Sequence, residues 1–287
     1  MLRSEPDETS RTIPTLRRTS RLGEGSPATG RAAGLIVDGL TVRFGGLTAL
    51  EDVVLSVRPG EIVGVIGPNG AGKTTLFNVL CGFLRPQAGT VSWQGRSLDR
   101  VRPHQLAGRG IARTLQGVGL FAGLTALENV LAGAEPRRRA GLTSALLGLP
   151  RSDRDERALR GRALAALKAL GVAELAGRLP GELPYPLQKR VALARALVAE
   201  PELLLLDEPA GGLGPDDMAD LGERIRALGG TTTVLLVEHH MDLVMSVCDR
   251  VVVLDFGRRI AAGTPAEVQA NQRVLDAYLG VAVDAEG

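Results

Sequence analysis

The stretch Glu61-Ile62-Val63-Gly64-Val65-Ile66-Gly67-Pro68-Asn69-Gly70-Ala71-Gly72-Lys73-Thr74-Thr75 decides the fold. Its apolar, β-branched first half predicts a short buried strand, and the apolar spacing from residue 74 to about residue 83 predicts a helix. The loop between them fits the pattern G-x-x-x-x-G-K-[ST], whose glycines allow backbone N–H groups to point at phosphate oxygens. A strand, this loop and a helix in that order predict a nucleotide-binding α/β domain.

This loop supplies most of the predicted phosphate contacts. The helix after it presents its positive N-terminal end to the same negative charge. Lys73 is expected to reach the β- and γ-phosphates, and the Thr74 hydroxyl is expected to ligate Mg²⁺. The predicted ATP-binding residues of the loop are Gly67, Pro68, Asn69, Gly70, Ala71, Gly72, Lys73, Thr74 and Thr75.

Two carboxylates follow an apolar run in the second half of the chain. Residues 203–206, all leucine, predict a buried strand, and Asp207 and Glu208 stand at its C-terminal end. In an open α/β sheet, ligands bind at that edge. We expect Asp207 to hold Mg²⁺ through its water shell and Glu208 to polarise the attacking water. A solvated strand end would show the same pattern, but two acids beside a phosphate loop predict ATP hydrolysis.

Strand and helix signals alternate along the rest of the chain, which predicts a mostly parallel sheet covered on both faces. Residues 116–186 show no clear strand and predict a helical insert. Residues 1–34 are rich in Arg, Ser, Thr, Pro and Gly, which predicts a disordered tail. The other predicted strands are residues 35–37, 41–44, 53–57, 233–237 and 250–254, and the other predicted helices are about 154–170 and 188–199.

Composition limits the partners that the chain can have. With 287 residues and a formal net charge of +2, it lacks the basic excess of a dedicated nucleic-acid binder. No run reaches the roughly 18 apolar residues that span a bilayer, so we expect any membrane role to come through a partner. Cys81 and Cys248 are far apart and are expected to be reduced thiols in or near the core.

The site residues fall in an order that resembles the nucleotide-binding subunits of ABC transporters, over residues 35–280. Beside the phosphate loop and the two acids, the likeness rests on Gln116, on a signature region at residues 183–195, and on His239 after a strand. The resemblance implies that Gln116 senses Mg²⁺ and the γ-phosphate and couples to a membrane partner. It also implies that His239 contacts the γ-phosphate and that Phe44 stacks on adenine.

The same resemblance implies an α/β fold with a P-loop NTPase (RecA-like) core, whose sheet is mostly parallel, plus an antiparallel β subdomain and a helical subdomain. It places the ATPase domain at residues 35–280, the helical subdomain at about 116–186 and a C-terminal tail at 281–287. The implied catalytic residues are Glu208, His239 and Gln116, and the implied metal ligands are Thr74, Gln116 and Asp207.

Several segments narrow the resemblance to the ATPase subunits of branched-chain amino-acid importers: residues 42–47, 113–116, 134–160, 237–239 with Met241, Val244 and Met245, and 277–280. Such importers pair two different ATPase subunits with two membrane permeases and an external binding protein. The implied partners are therefore permease subunits, a second ATPase subunit in a heterodimer or homodimer and, indirectly, a solute-binding protein, without nucleic acid. The implied cofactors are ATP and Mg²⁺, and the implied location is the cytoplasmic face of the cell membrane.

The signature loop departs from the family pattern. Related ATPases carry Leu-Ser-Gly-Gly-Gln or Leu-Ser-Tyr-Gly-Gln, whereas this chain has Leu183-Pro184-Tyr185-Pro186-Leu187. Pro184 replaces the serine whose hydroxyl binds the γ-phosphate of ATP held by the opposite subunit, and Pro186 replaces a glycine and removes a backbone N–H. The degenerate loop implies asymmetric sites in a heterodimer.

Two further departures carry less weight. Gly214 stands where these ATPases usually have Asp or Asn, and His240 stands where the nearest relatives have Asp. We expect His240 to be exposed and assign it no role. Two alternatives to a transporter ATPase remain open, a nucleotide-binding regulatory subunit with little hydrolysis and a non-transport ABC ATPase.

Overall fold

A computed structural model describes residues 34–114, 117–134 and 150–284 of the chain. Gln116, the predicted N-terminal tail up to residue 33 and the last three residues lie outside these ranges. Ten strands lie within them: β1 Leu35–Phe44, β2 Leu47–Val57, β3 Ile62–Ile66, β4 Ala88–Trp93, β5 Arg96–Ser97, β6 Ile111–Arg113, β7 Leu203–Asp207, β8 Thr233–Val237, β9 Arg250–Asp255 and β10 Arg258–Gly263.

The larger sheet has the strand order β10-β9-β3-β8-β7-β6. Neighbouring strands from β9 to β6 are parallel, and β10 pairs antiparallel with β9. Every residue of β3 and β8 is buried, which explains why both strands are continuous apolar runs. The predicted mostly parallel sheet is confirmed, and it brings the C-terminal ends of β3, β7 and β8 to one edge.

A smaller antiparallel sheet has the order β2-β1-β4-β5. Buried residues alternate with exposed ones along much of β1, as expected for a strand that covers the core on one face only. The segments predicted at 35–37 and 41–44 are two parts of this one strand. This sheet confirms the antiparallel β subdomain.

The helices within the described ranges are α1 Lys73–Leu80, α2 Ala126–Gly133, α3 Pro150–Ala169, α4 Tyr185–Leu197, α5 Pro215–Arg226, α6 Met241–Val247, α7 Pro265–Gln269 and α8 Gln272–Asp284. Helices α2, α3 and α4 contact one another and form the helical subdomain. The longest of these, α3, is strongly charged, and no helix in the described ranges is long and apolar enough to cross a bilayer.

The structure shifts several of the sequence-based boundaries. Strand β2 begins at Leu47 rather than at residue 53, and α4 spans Tyr185–Leu197 rather than about 188–199. Helix α1 was expected to reach about residue 83 but ends at Leu80, because the chain turns through Gly82 at a φ of 73°. Helix α8 continues to Asp284, beyond the predicted domain end at residue 280.

Candidate active site

The phosphate loop follows β3 and packs closely against two other strands, β9 and β2. Gly67 and Gly72 have φ angles of 153° and 97°. A Cβ atom on Gly67 would lie 2.1 Å from the carbonyl oxygen of Leu254, and one on Gly72 would lie 2.6 Å from that of Ala49. Glycine is therefore required at both positions, because β9 and β2 leave no room for a side chain.

Lys73 opens α1 and turns its side chain back into the loop. Its Nζ donates hydrogen bonds to the carbonyl oxygens of Gly67, at 2.6 Å, and Pro68, at 2.8 Å. Burial lowers the pKa of this ammonium group, and the Glu208 carboxylate opposes the change. Thr74, next in the first helical turn, is exposed, so its hydroxyl is accessible to a ligand.

The two predicted acids stand side by side at the end of β7. The Asp207 N–H donates to Thr114 Oγ1, at 3.3 Å. The pKa of the Asp207 carboxyl is raised by burial and then by the Glu208 and Glu238 carboxylates, while Arg113 opposes the rise. This edge of the sheet therefore carries concentrated negative charge.

Glu208 has an unusual backbone conformation. Its φ is 44°, in the left-handed region that residues with a side chain rarely adopt. Its N–H donates to the Val237 carbonyl at 2.9 Å. Its carbonyl accepts from the Gly211 N–H at 3.1 Å and from Lys189 Nζ at 3.3 Å. These contacts from β8, the following turn and α4 hold the strained residue in place.

His239 lies next to Glu208. His239 Nδ1 is 3.7 Å from Glu208 Oε1 and 3.5 Å from Glu238 Oε2, and half of the imidazole is exposed. The parallel pairing of β7 with β8 brings the residues that follow the two strands together. The structure thus places Lys73, Asp207, Glu208 and His239 around one edge of the sheet.

Glu238 is a site residue that the sequence did not single out. Its side chain is fully buried. Burial would raise the pKa of its carboxyl, but hydrogen bonds from His240, Ala210 and His239 outweigh this and lower it. The residue therefore carries its charge inside the protein.

His240 corrects an expectation. It was expected to be exposed, but its side chain is only 28% exposed, and its Nδ1 lies 2.9 Å from Glu238 Oε2. Its ring centroid is 4.0 Å from that of His239. His240 is thus part of the site, since it contacts both a buried carboxylate and the predicted γ-phosphate ligand.

Glu238, His239 and His240 could together approach a metal ion, because their candidate ligand atoms all lie within 4.8 Å of one another. However, Glu238 Oε2 already accepts the N–H groups of His239, at 2.7 Å, and His240, at 3.1 Å, and it also contacts the His240 ring. We therefore assign no metal to these three residues.

The signature loop keeps its helix despite the two prolines. Pro184 is the N-cap of α4, and Pro186 lies in its first turn, where no intrahelical N–H bond is lost. Lys189, one turn further along, is buried and links α4 to the Glu208 carbonyl. The two prolines therefore leave the start of α4 intact.

Phe44 ends β1 and is half-exposed. It pairs with Leu47 in the β1–β2 hairpin, and Ala49 of the same hairpin contacts Gly72. The hairpin that contains Phe44 therefore approaches the phosphate loop through Ala49.

The C-terminal helix also reaches the phosphate loop. The Tyr278 hydroxyl oxygen is buried and has no hydrogen bond of ordinary geometry within the described residues. Burial raises the pKa of this phenol, and the neighbouring Gly67 N–H opposes the rise. Sequence patterns do not indicate this contact, because most of the chain separates α8 from the loop.

Comparisons with known proteins agree with this geometry. Residues 50–211 match the family model described as "ABC transporter". This range includes the phosphate loop, the signature loop and both acids. The chain belongs to the ABC transporter family.

Individual members of the ABC transporter family match nearly over their whole length. The high-affinity branched-chain amino acid transport ATP-binding protein LivG of Salmonella typhimurium is 44% identical, over 86% of this chain and 98% of LivG. Residues 258–284 match a second family model, "Branched-chain amino acid ATP-binding cassette transporter".

Solved ABC cassettes share the fold. The ADP conformation of MJ1267, an ATP-binding cassette of an ABC transporter, is 30% identical with a TM-score of 0.74, over 86% of this chain and 99% of that one. The dimeric structure of MJ0796, a bacterial ABC transporter cassette, is 26% identical with a TM-score of 0.67, over 80% of this chain and 98% of that one. As an ABC ATPase, this chain binds and hydrolyses ATP.

Proposed function

We propose that this chain powers a membrane importer of branched-chain or related amino acids. The observation that carries the proposal is its 44% identity to LivG over 98% of that protein. The match of residues 258–284 to a model specific to branched-chain amino acid transporters supports it independently of the shared ATPase motifs.

In this proposal each site residue has a separate role. Lys73 binds the β- and γ-phosphates, together with the loop from Gly67 to Thr75. Glu208 orients the attacking water, and His239 contacts the γ-phosphate. Phe44 stacks on adenine, and Gln116, outside the described residues, senses the γ-phosphate and signals to the membrane partner.

The residues present fit Mg²⁺. The Thr74 hydroxyl is exposed and the Asp207 carboxylate is half-buried, so both offer the oxygen ligands that this ion prefers. Burial raises the pKa of Asp207 most, and the neighbouring Glu208 and Glu238 carboxylates raise it further; a divalent cation would relieve this second, electrostatic contribution. We propose that Thr74, Asp207 and Gln116 hold Mg²⁺, which neutralises charge on the phosphates when bound.

We further propose that the chain works in an asymmetric heterodimer on the cytoplasmic face of the membrane. The dimer of MJ0796 supports a paired arrangement. In such dimers the signature of one subunit contacts the ATP held by the other. Pro184 and Pro186 lack the hydroxyl and the N–H that would make this contact, which weakens it by roughly 3–6 kcal/mol. The chain's own site, completed by an intact partner signature, is then the active one.

The surface around Phe121 is the proposed contact with a permease. Phe121 is 55% exposed. Its loop is held by Arg195, whose Nη1 donates to the Gly119 carbonyl at 2.6 Å and whose guanidinium lies 5.9 Å from the Phe121 ring. Phe121→Glu is expected to abolish transport and leave ATP binding unchanged, because it places a charge in an apolar contact away from the nucleotide.

Co-purification with solute uptake tests the proposed function. When the full chain is co-expressed with the permease subunits and the second ATPase subunit of its transporter, it should be recovered with them in a membrane complex. Reconstituted into vesicles with a binding protein, that complex should accumulate leucine, isoleucine or valine in an ATP-dependent manner. Recovery of an ATP-hydrolysing complex that moves none of these amino acids would disprove the substrate class. Failure to associate with any permease would disprove the transport role.

Steady-state ATPase assays test the asymmetry. The isolated chain should hydrolyse ATP slowly and gain activity when the partner ATPase is added. Pro184→Ser combined with Pro186→Gly should raise the activity of the isolated chain, because it restores both contacts. Full activity in the isolated wild-type chain would refute the asymmetric model. Negligible activity in every combination would instead favour a regulatory subunit.

A further inference from the structure

One buried carboxylate collects four N–H donors from two different loops. Glu238 Oε1 accepts the Ala210 N–H at 2.9 Å. Glu238 Oε2 accepts the backbone N–H groups of His239, at 2.7 Å, and His240, at 3.1 Å, and contacts His240 Nδ1 at 2.9 Å. The side chain is completely inaccessible to solvent. We call this arrangement the Glu238 network.

The Glu238 network joins the two loops that carry the proposed hydrolytic residues. Ala210 is two residues after Glu208, in the turn that keeps Glu208 in its left-handed conformation. His239 follows Glu238 directly, so its main chain is fixed by the same carboxylate. A displacement of Glu238 would therefore move Glu208 relative to His239, whose side-chain atoms are now 3.7 Å apart.

His240 completes the network through its side chain. An ionised carboxylate can only accept hydrogen bonds, so the His240 Nδ1 atom must carry the hydrogen. A neutral imidazole in that tautomer satisfies this requirement. The His240 ring also lies against the His239 ring, with centroids 4.0 Å apart, and so restricts the rotation of His239.

We propose that Glu238 is a positioning residue for ATP hydrolysis, which fixes Glu208 and His239 relative to each other, and that His240 supports it through Nδ1. The inference rests on the proposed roles of Glu208 and His239. Glu238 touches no substrate in this scheme. It is predicted to affect the hydrolytic step and to leave nucleotide binding alone, because Lys73 and the phosphate loop are held by other contacts.

Glu238→Gln tests the proposal with little change in volume. The amide NH₂ group is expected to occupy the position of Oε1. A donor there breaks one hydrogen bond, whereas a donor in the position of Oε2 would break three. The Ala210 N–H then has no acceptor, and the turn after Glu208 loosens. In the assembled transporter, kcat should fall on the order of 100-fold. The dissociation constant for ATP, measured on the full chain by calorimetry, should change by less than about twofold.

A double-mutant comparison separates positioning from general damage. If Glu238 acts through Glu208, then Glu238→Gln should cause no further loss of hydrolysis in a Glu208→Gln background. An equal proportional loss in both backgrounds would overturn the proposal. Wild-type kcat in Glu238→Gln, beside a Glu208→Gln variant whose hydrolysis is strongly slowed but still measurable, would also overturn it. Wild-type kcat in Glu208→Gln would instead disprove the proposed role of Glu208 itself.

His240 provides a second variant that leaves the buried carboxylate in place, in case Glu238→Gln does not fold. His240→Phe keeps the ring contact with His239 but removes the donor, and should lower kcat without changing ATP affinity. His240→Asn keeps an N–H donor and should recover part of the rate. His104, the one other histidine in the sequence, is exposed and distant in sequence, so His104→Phe is the matched control. Equal rates in His240→Phe and His104→Phe would exclude the supporting role of His240.

Discussion

Glu208 combines a carboxylate with a backbone conformation that suits glycine. Its φ of 44° costs energy that the bonds to Val237, Gly211 and Lys189 offset. Glycine at this position would be less strained but would lack the carboxylate. The backbone at this position is therefore less stable than it would be with glycine, but it keeps a carboxylate there, as is common for strained residues at active sites.

Because of this strain, glycine should be more stable than alanine at position 208, the reverse of their usual order. Glu208→Gly should be more stable to unfolding than Glu208→Ala by about 1 kcal/mol, because alanine keeps the left-handed strain and glycine does not. Chemical denaturation of both variants measures the difference. The same pair at Glu223, exposed in α5, is the control, and there alanine should be the more stable by about 1 kcal/mol. The same order at both positions would show that residue 208 is unstrained.

Lys73 supports a prediction on nucleotide binding. Lys73→Ala removes the ammonium group that reaches the predicted phosphate site, so ATP affinity measured by calorimetry should fall at least about 100-fold. The variant also leaves the Gly67 and Pro68 carbonyls without this donor. Lys189→Ala is the control, since it removes a buried lysine that contacts the Glu208 carbonyl rather than the loop. Unchanged affinity in Lys73→Ala would contradict the assignment of the loop.

A site residue could be predicted from the sequence when its role follows from the spacing of nearby residue types. The loop, Asp207 and Glu208 can be proposed from the sequence because their chemistry requires given residue types after given strands, whereas His239 is proposed only through the family resemblance. Glu238 was missed because its role depends on the Ala210 N–H, which another strand brings to it. His240 was misread for the same reason, since its partner becomes visible only after β8 ends beside β7.

Within the helical subdomain, the buried amide of Asn129 joins Arg195 in holding the loop that carries Phe121. Asn129 of α2 accepts the Phe121 N–H at 2.8 Å and donates to the carbonyl oxygens of Phe121, Leu124 and Thr125. It is completely buried. The loop geometry thus depends on a group that can both donate and accept.

Asn129→Leu should therefore destabilise the protein by about 1–3 kcal/mol, because buried backbone groups lose their partner. Asn129→Asp should be at least as harmful at neutral pH, because its carboxylate faces three carbonyl oxygens and cannot donate. Thermal unfolding of both variants measures this. If Asn129→Asp proves as stable as the wild type, the amide donors contribute nothing to the loop.

Some elements could not be predicted because their patterns were weak. Strand β6 has only three residues, too few for a period, although it adds an edge strand to the parallel sheet. Strands β4 and β10 are mostly exposed or half-exposed, so they lack the apolar runs that revealed β3, β7 and β8. The sequence signals for strands thus follow burial and length, so the short or weakly buried strands β4, β6 and β10 lack them.

At the scale of the molecule, both thiols lie in the core. Burial raises the pKa of Cys81 and of Cys248 to about 12. The predicted reduced core thiols agree with this position. Cys248 Sγ is so close to β3 that a Cβ on Gly64 would lie 2.8 Å from it. Both thiols are buried and protonated, so neither is expected to react while the sheet is intact.

The native protein should therefore resist thiol reagents. At pH 8 a pKa of about 12 leaves roughly one thiolate in ten thousand, so Ellman's reagent should react negligibly until the chain unfolds. In guanidinium chloride both thiols should react at once. Rapid reaction of one native thiol would show that its side of the sheet opens readily.

The whole-molecule arrangement could be predicted only as a class. Alternating strand and helix signals indicated a parallel sheet, but no local pattern specifies that β3 lies between β8 and β9. That order depends on which strands meet after the chain has folded. The residues alone indicate a parallel α/β sheet with a phosphate loop and two acids at its edge, and the family resemblance adds the two subdomains and the expected roles of Gln116, His239 and Phe44.

The position of β3 has a consequence for synthesis on the ribosome. Both of its neighbours, β8 and β9, come from the last fifth of the chain, whereas β3 and the phosphate loop emerge early. A nascent chain therefore carries a fully apolar strand with two unpaired edges until translation is nearly complete. Truncated products that stop before β8 would expose that strand permanently, and they are expected to aggregate or occupy chaperones rather than bind nucleotide.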